Sequence, residues 1–233
     1  MSLYAISPVA EVTLPIIGRK ELFPVRRVYC VGRNYAAHAR EMGDDPNRDL
    51  PFFFCKDRSC VQLVALNDVT PLPYPDATER FEYEVELVIA LSQGGRNLTL
   101  DEAQAAVYGY GVGLDMTRRD LQSLAKQKGR PWEAGKAFEF SAPMTPIVPR
   151  GAAPVLEAGK IELSVNGEVK QSSNLTHLTW GITEVIVKLS EQFELYPGDL
   201  IMTGTPENVG PVVIGDKIEA LVEGVAEFKM EVV

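Results

Sequence analysis

The sequence predicts an α+β fold rich in strand, a mixed β-roll or sandwich with its helices on the outside. Three observations point there. Short apolar runs of strand length recur along the chain, an Asn166-Gly167 pair separates two of them, and only three or four stretches show helical spacing. A chain of 233 residues with 45% hydrophobic content can bury a sizeable core, and it is read as one main domain behind a short arm.

Residues 1–22, with Pro8, Pro15 and Gly18, read as a small N-terminal arm or strand, and residues 23–233 as the main domain. Its first strand falls over Val25–Val31. After Gly32 comes a loop-flanked helix carrying His38 and Glu41, which ends near Gly43-Asp44-Asp45-Pro46. The run through Glu82, Glu84 and Glu86 to Leu91 reads as a strand entering the interior, because Val85, Leu87, Val88, Ile89, Ala90 and Leu91 are apolar. Thr99-Leu100-Asp101-Glu102 has the capping-box pattern and starts a helix over Leu100–Val107. Tyr108–Leu114, with three glycines, reads as a strand packed closely against another backbone. Thr117 is expected to cap a second helix to about Lys128, which Gly129 and Pro131 end. Asn166-Gly167 joins Ile161–Val165 to Glu168–Gln171 as a two-residue hairpin. Ile182–Phe193 has helical spacing, Pro197-Gly198 turns the chain into a strand at Leu200–Thr203, and two last strands near Lys217–Val222 and Val225–Val233 meet at Gly224.

Composition excludes several classes of function. A formal charge of -9 argues against nucleic acid or anionic membrane as partners, though a small anionic substrate is compatible with it if the pocket itself is cationic. No apolar run reaches the length of a membrane span and the N-terminus lacks a signal-peptide pattern, so the protein is read as soluble and cytoplasmic. Cys30, Cys55 and Cys60 are odd in number and lack C-x-x-C spacing, which fits reduced thiols. Gly129 to Gly135-Lys136 only imitates a P-loop, because the glycine spacing is wrong and Ala137 stands where a hydroxyl must meet the metal.

The chemistry concentrates in a few side chains. Glu84 and Glu86 flank Val85, so in a strand they share a face roughly 7 Å apart along the backbone. Two carboxylates side by side repel unless both are in bulk water or share a cation. With Asp115 at the end of another apolar run they would form an all-oxygen site for Mg²⁺ or a similar hard ion; a solvated acidic strand edge is the alternative. His38 and Glu41 are three apart, so on a helix they share a face and the carboxylate can orient the imidazole as a proton acceptor. The chain has two histidines, and His177 has no such partner. Arg119 and Gln122 are three apart on the second helix and can present a cation and an amide together, or form a solvated face. Lys136 and Thr205 read from the residues alone as a surface lysine and a turn residue.

Five blocks in order carry a family likeness: Tyr29-Cys30-Val31-Gly32-Arg33-Asn34-Tyr35 through His38 and Glu41; Glu84-Val85-Glu86-Leu87; Leu114-Asp115-Met116-Thr117 through Arg119 and Gln122; Gly129-Arg130-Pro131-Trp132 through Lys136; and Gly198-Asp199 with Thr203-Gly204-Thr205-Pro206. Together they resemble the fumarylacetoacetate hydrolase family, most closely its short acylpyruvase and fumarylpyruvate hydrolase members. The resemblance implies the C-terminal domain fold of that family, a homodimer, and Mg²⁺ or Mn²⁺ on Glu84, Glu86 and Asp115. It implies that Arg33, Arg119, Gln122 and Thr205 bind a small anionic oxo acid, with Thr205 on its carboxylate and Lys136 near the metal and substrate oxygens. His38 with Glu41 would activate water to cleave the C3–C4 bond of an acylpyruvate, fumarylpyruvate for example, to pyruvate and a carboxylic acid. The alternatives are an oxaloacetate decarboxylase or keto–enol tautomerase on the same site, and a non-catalytic metal-binding β-domain. Two departures stand out. Asp57 follows Lys56 where relatives commonly have proline, so Lys56 is given no firm role, and Glu82-Tyr83 stands in place of the histidines that some relatives carry before the first metal glutamate, which makes Glu82 a rival or auxiliary ligand.

Overall fold

A computed structural model describes residues 4–42, 49–151, 153 and 155–233. Strands take 40% of the chain and helices 19%, so the expected excess of strand is present. Four sheets form. The largest has eight strands in the order Phe52–Lys56, Arg27–Gly32, Asp199–Met202, Val85–Leu91, Val107–Leu114, Ala142–Met144 and Val61–Leu63, with Val148–Pro149 paired beside Val107–Leu114. Five strands make a second sheet: Glu168–Asn174, Lys160–Val165, Lys217–Val222, Ala226–Val232 and Val69–Leu72. Phe81–Tyr83 lies between Thr117–Arg118 and Gly210–Val212 in a three-stranded sheet, and Thr13–Pro15 pairs with Leu22–Pro24.

The strand Val85–Leu91 is buried at every position because both faces of the large sheet are covered. On one face Leu87, Ile89 and Leu91 join Ile161, Leu163, Ile218 and Phe228 of the five-stranded sheet and Val185, Ile186 and Leu189 of a helix. On the other, Val88 and Ala90 pack with Leu14, Phe23, Val28, Leu200 and Met202, so the N-terminal strand pair covers that side. Each fully buried Leu, Ile or Phe contributes roughly 1.5–3 kcal/mol relative to exposure. The close approach expected of the glycine-rich strand is real: a Cβ on Gly109 would lie 2.3 Å from the carbonyl oxygen of Val148.

Most expected elements form within a residue or two. The capping box of Thr99 and Glu102 starts Leu100–Ala106, the helix Ile182–Gln192 follows Gly181, and Asn166 and Gly167 have φ of 53° and 81° in the hairpin. Two readings need correction, and one short helix is added. Thr117 does not cap the second helix: it pairs with Glu82 in the small sheet and its hydroxyl donates to Asp115 O at 3.1 Å, so the helix begins at Arg119. Glu133–Lys136, without helical spacing in the sequence, is one turn of helix. The acidic run is not one strand: the ladder stops at Tyr83 and resumes at Val85 in another sheet, leaving Glu84 between them. The helix Ala36–Glu41 is present, while the stop placed at Gly43-Asp44-Asp45-Pro46 lies outside the described residues.

Candidate metal centre

Glu84 occupies the junction between two sheets, where no ladder partner fixes its backbone. Its carbonyl accepts the N–H of Asp115 at 2.9 Å, one step beyond the Val85–Leu114 pair, so the two acidic residues are placed side by side by the end of the strand pair. Glu86, one pleat further on, faces the same way as Glu84. Glu84, Glu86 and Asp115 each offer an oxygen within 4.8 Å of the others, and all three are buried. At that separation each pair of charges repels by about 3 kcal/mol in a medium of effective dielectric 20. Compensation must be close at hand.

Two buried lysines and an arginine supply most of it. Lys136 Nζ donates to Glu84 Oε2 at 2.9 Å and to Asp115 Oδ2 at 2.7 Å. Lys56 Nζ lies 2.8 Å from Asp115 Oδ1 and donates to the carbonyls of Met116 and Lys136. Arg119 bonds Glu84 and Glu82, and its third contact is Gln122 Oε1 at 2.6 Å. Burial alone would raise the Glu84 carboxyl, but the Lys136 and Arg119 cations prevail and hold it well below the carboxylate range. Glu86 goes the other way. Burial and the charges of Asp115 and Glu84 push it well above its usual value, and the Gly204 N–H it accepts at 2.8 Å offsets little of this. The buried cations engage Glu84 and Asp115, while among the described residues none bonds Glu86, so it is the carboxylate of the three without a cationic partner. An all-oxygen set with uncompensated negative charge fits a hard divalent cation.

The pocket over this cluster is lined by His38, Arg33, Arg119, Gln122, Lys136 and Thr205, among others. His38 Nδ1 is 3.0 Å from Glu41 Oε2, and the same carboxylate accepts the Asn208 N–H at 3.0 and 3.1 Å. With Nδ1 engaged, Nε2 is the ring nitrogen left for proton transfer. Phe52 and Phe54 pack on Trp132 with ring centroids 5.6 and 5.7 Å apart and make an apolar wall. Arg33, at a positive φ of 59°, lies over the Phe52 ring at the rim. Thr205 Oγ1 accepts from Gln171 Nε2 at 3.0 Å.

Two alternatives left open by the sequence are set aside. Glu82 stands outside the carboxylate cluster: it is fully buried but held by Arg119 and Arg80, because the strand break at Glu84 separates it from the face that Glu86 shares. Arg119 and Gln122 do share a helix face, but it is buried rather than solvated. Lys56, to which the sequence gives no role, is buried on Asp115, while Asp57, which stands in place of proline, accepts Ser59 N–H and caps the turn Arg58–Cys60. Gln171 and Asn34 join the site with no signal in the sequence that marks them. Asn34 ties the loop before the His38 helix to the carbonyls of Thr203 and Trp180, both at 2.9 Å. A buried glutamine in a polar strand has no sequence signature. His177 is exposed and pairs with Ser173.

Residues 27–233 match the fumarylacetoacetate (FAA) hydrolase C-terminal family. The chain belongs to the fumarylacetoacetate hydrolase family. A fumarylpyruvate hydrolase from a Ralstonia species is 46% identical over 188 residues, 81% of this chain and 95% of that protein. The crystal structure of a fumarylpyruvate hydrolase from Pseudomonas aeruginosa, in complex with Mn²⁺ and pyruvate, superposes with a TM-score of 0.97 at 49% identity and covers 99% of both chains. An oxaloacetate tautomerase from Escherichia coli K12 is 37% identical over 206 residues, 87% of this chain and 90% of that protein. Among the described residues of this family member no helix is long and apolar enough to cross a membrane.

Proposed function

We propose that this protein is a divalent-metal-dependent hydrolase of acylpyruvates, with fumarylpyruvate as substrate and pyruvate and fumarate as products. The observation that carries the reading is a carboxylate-oriented histidine, His38 with Glu41, lining the same pocket as the buried triad of Glu84, Glu86 and Asp115. A Mg²⁺ or Mn²⁺ ion on those three carboxylates supplies Lewis-acid polarisation of the 2-oxo group. Thr205 binds the substrate carboxylate, and Gln122 and Arg119 close the adjoining wall. The acyl chain lies along Phe52, Phe54 and Trp132, with Arg33 at the rim for a distal carboxylate.

His38 Nε2 takes a proton from water, and the resulting hydroxide attacks the 4-oxo carbonyl. Glu41 holds the Nδ1 proton and favours the imidazolium. Collapse of the adduct breaks C3–C4, the acyl group leaves as a carboxylic acid, and the electron pair moves into the pyruvate enolate. Lys136 donates two of its three N–H bonds to Glu84 and Asp115, so the third can meet the developing enolate oxygen. The enolate then takes a proton at C3 to give pyruvate, and the imidazolium releases its proton to solvent. The homodimer and the cytoplasmic setting belong to the same proposal, with residues 23–233 as the catalytic domain.

A second reading, oxaloacetate tautomerisation or decarboxylation, draws on the 37% identity to the Escherichia coli tautomerase. It uses the same enolate chemistry without water attack. The deciding test incubates purified protein and Mg²⁺ or Mn²⁺ with fumarylpyruvate, other acylpyruvates and oxaloacetate, following ultraviolet loss of the enol and identifying the acid. Stoichiometric fumarate and pyruvate support the hydrolase; turnover confined to oxaloacetate overturns it.

A further inference from the structure

Gln171 is the one buried residue of the strand Glu168–Asn174, an edge of the five-stranded sheet, and it is completely buried. Every polar atom of its amide is occupied, and the partners come from two other parts of the fold. Oε1 accepts the N–H of Val85, the residue between Glu84 and Glu86, at 3.0 Å. The two N–H bonds of Nε2 serve three acceptors, one of them shared: Thr205 Oγ1 at 3.0 Å, Pro206 O at 2.8 Å and Glu207 O at 3.3 Å. The next residue, Asn208, gives its N–H to Glu41. One side chain therefore joins the backbone of the carboxylate strand to the loop that carries Thr205 and steadies the dyad.

The direction of the Thr205 bond matters most. A hydroxyl has one proton, and a glutamine Nε2 can only donate, so Thr205 Oγ1 must accept from Gln171. Among the described residues Thr205 Oγ1 donates to nothing, and Thr205 lines the pocket. Its proton is left for an acceptor in the pocket.

We propose that Gln171 is a positioning residue for the substrate carboxylate: by donating to Thr205 Oγ1 it fixes that hydroxyl as a donor toward the ligand, and by accepting from Val85 it locks the loop to the carboxylate strand. This rests on the reading that Thr205 binds the carboxylate of the oxo acid. It extends to any 2-oxo acid bound there, whichever bond is then broken. Gln171→Glu keeps the size and shape but reverses the polarity at one atom, so Thr205 turns its proton toward the new carboxylate and offers the ligand only lone pairs.

The test measures binding of pyruvate and of pyruvamide, which lacks the carboxylate, to Mn²⁺-loaded protein by titration calorimetry, together with Mn²⁺ affinity and the kcat and KM of the oxo acid that the wild type turns over. Gln171→Glu is expected to weaken pyruvate binding roughly tenfold, the loss of one hydrogen bond to a charged group, and to raise KM by a similar factor with a smaller change in kcat. Pyruvamide and Mn²⁺ binding should shift much less. Thr205→Val should match it, and adding Gln171→Glu to Thr205→Val should cost less than about a further twofold. Equal weakening of pyruvate and pyruvamide, independent multiplying effects in the double variant, or wild-type pyruvate binding in Thr205→Val each overturns the proposal; the last applies even if Gln171→Glu does not fold. Failure of Mn²⁺-loaded wild type to bind pyruvate overturns the carboxylate assignment as well. A wild type that binds pyruvate yet hydrolyses no acylpyruvate refutes only the hydrolase reading.

Discussion

Replacing Gly135 by alanine pushes on the backbone of the neighbouring helix, and the geometry sets the size of the effect. A methyl at Gly135 would meet Gln122 N at 2.7 Å and Gln122 Cα at 2.9 Å. Ordinary van der Waals contact begins at 3.4 Å, and backbone cannot rotate away as a side chain can. The helix Glu133–Lys136 must therefore retreat from Arg119–Gln127 by about 0.7 Å. Lys136 moves with it, and its bonds of 2.9 Å to Glu84 and 2.7 Å to Asp115 stretch toward the limit of a hydrogen bond. A misplacement of about 1 Å can cost a hundredfold in rate, so kcat on the acylpyruvate substrate is expected to fall roughly ten- to fiftyfold. Overpacking should also remove about 1–3 kcal/mol of stability. Mn²⁺ affinity should hold within about threefold, because none of the three carboxylates is on the displaced turn. Enol-absorbance kinetics at saturating Mn²⁺, a Mn²⁺ titration and a thermal melt read the three quantities. A wild-type kcat at full metal occupancy would refute the argument that this helix contact places Lys136.

Glu84→Gln, Glu86→Gln and Asp115→Asn are each expected to abolish activity with Mn²⁺ binding weakened at least about a hundredfold, whereas Glu82→Gln should retain the metal. Metal loss in Glu82→Gln with retention in Glu86→Gln would reverse the ligand assignment. Lys136→Met should lower kcat roughly a hundred- to a thousandfold while leaving Mn²⁺ bound, since its cation acts on charge that develops during cleavage; unchanged kcat would leave the lysine a purely structural partner of the carboxylates. His38→Ala and Glu41→Gln should each cut acylpyruvate cleavage roughly a hundredfold or more, and oxaloacetate turnover far less. Equal loss of both activities at full metal occupancy would assign the dyad to enolate protonation instead of water activation.

Much of this was legible in the sequence, because the signals are local. Glu84 and Glu86 share a face by strand periodicity, His38 and Glu41 by helix periodicity, and Asn166-Gly167 fixes a hairpin. What escaped depends on which element comes to rest beside which. Thr117 has the chemistry of a cap, but pairing with Glu82 claims its backbone and moves the helix start to Arg119. Glu82 reads as a rival or auxiliary ligand only if the acidic run is one strand, and the ladder breaks at Glu84. Lys56 and Gln171 sit in ordinary polar surroundings in the sequence and are buried only because other parts of the chain close over them.

The pairing of Val85 with Leu114 has a consequence for folding. Glu84 and Asp115 come from opposite sides of that pair, so the ligand set does not exist until the two strands are zipped together. The unfolded chain offers an ion only scattered single carboxylates. Metal therefore binds the folded state almost exclusively, and a hundredfold excess over its dissociation constant adds about 2.7 kcal/mol to stability. The strands that assemble the centre are thereby held together by the ion, and the melting temperature becomes a function of the divalent-metal concentration in which the protein is kept.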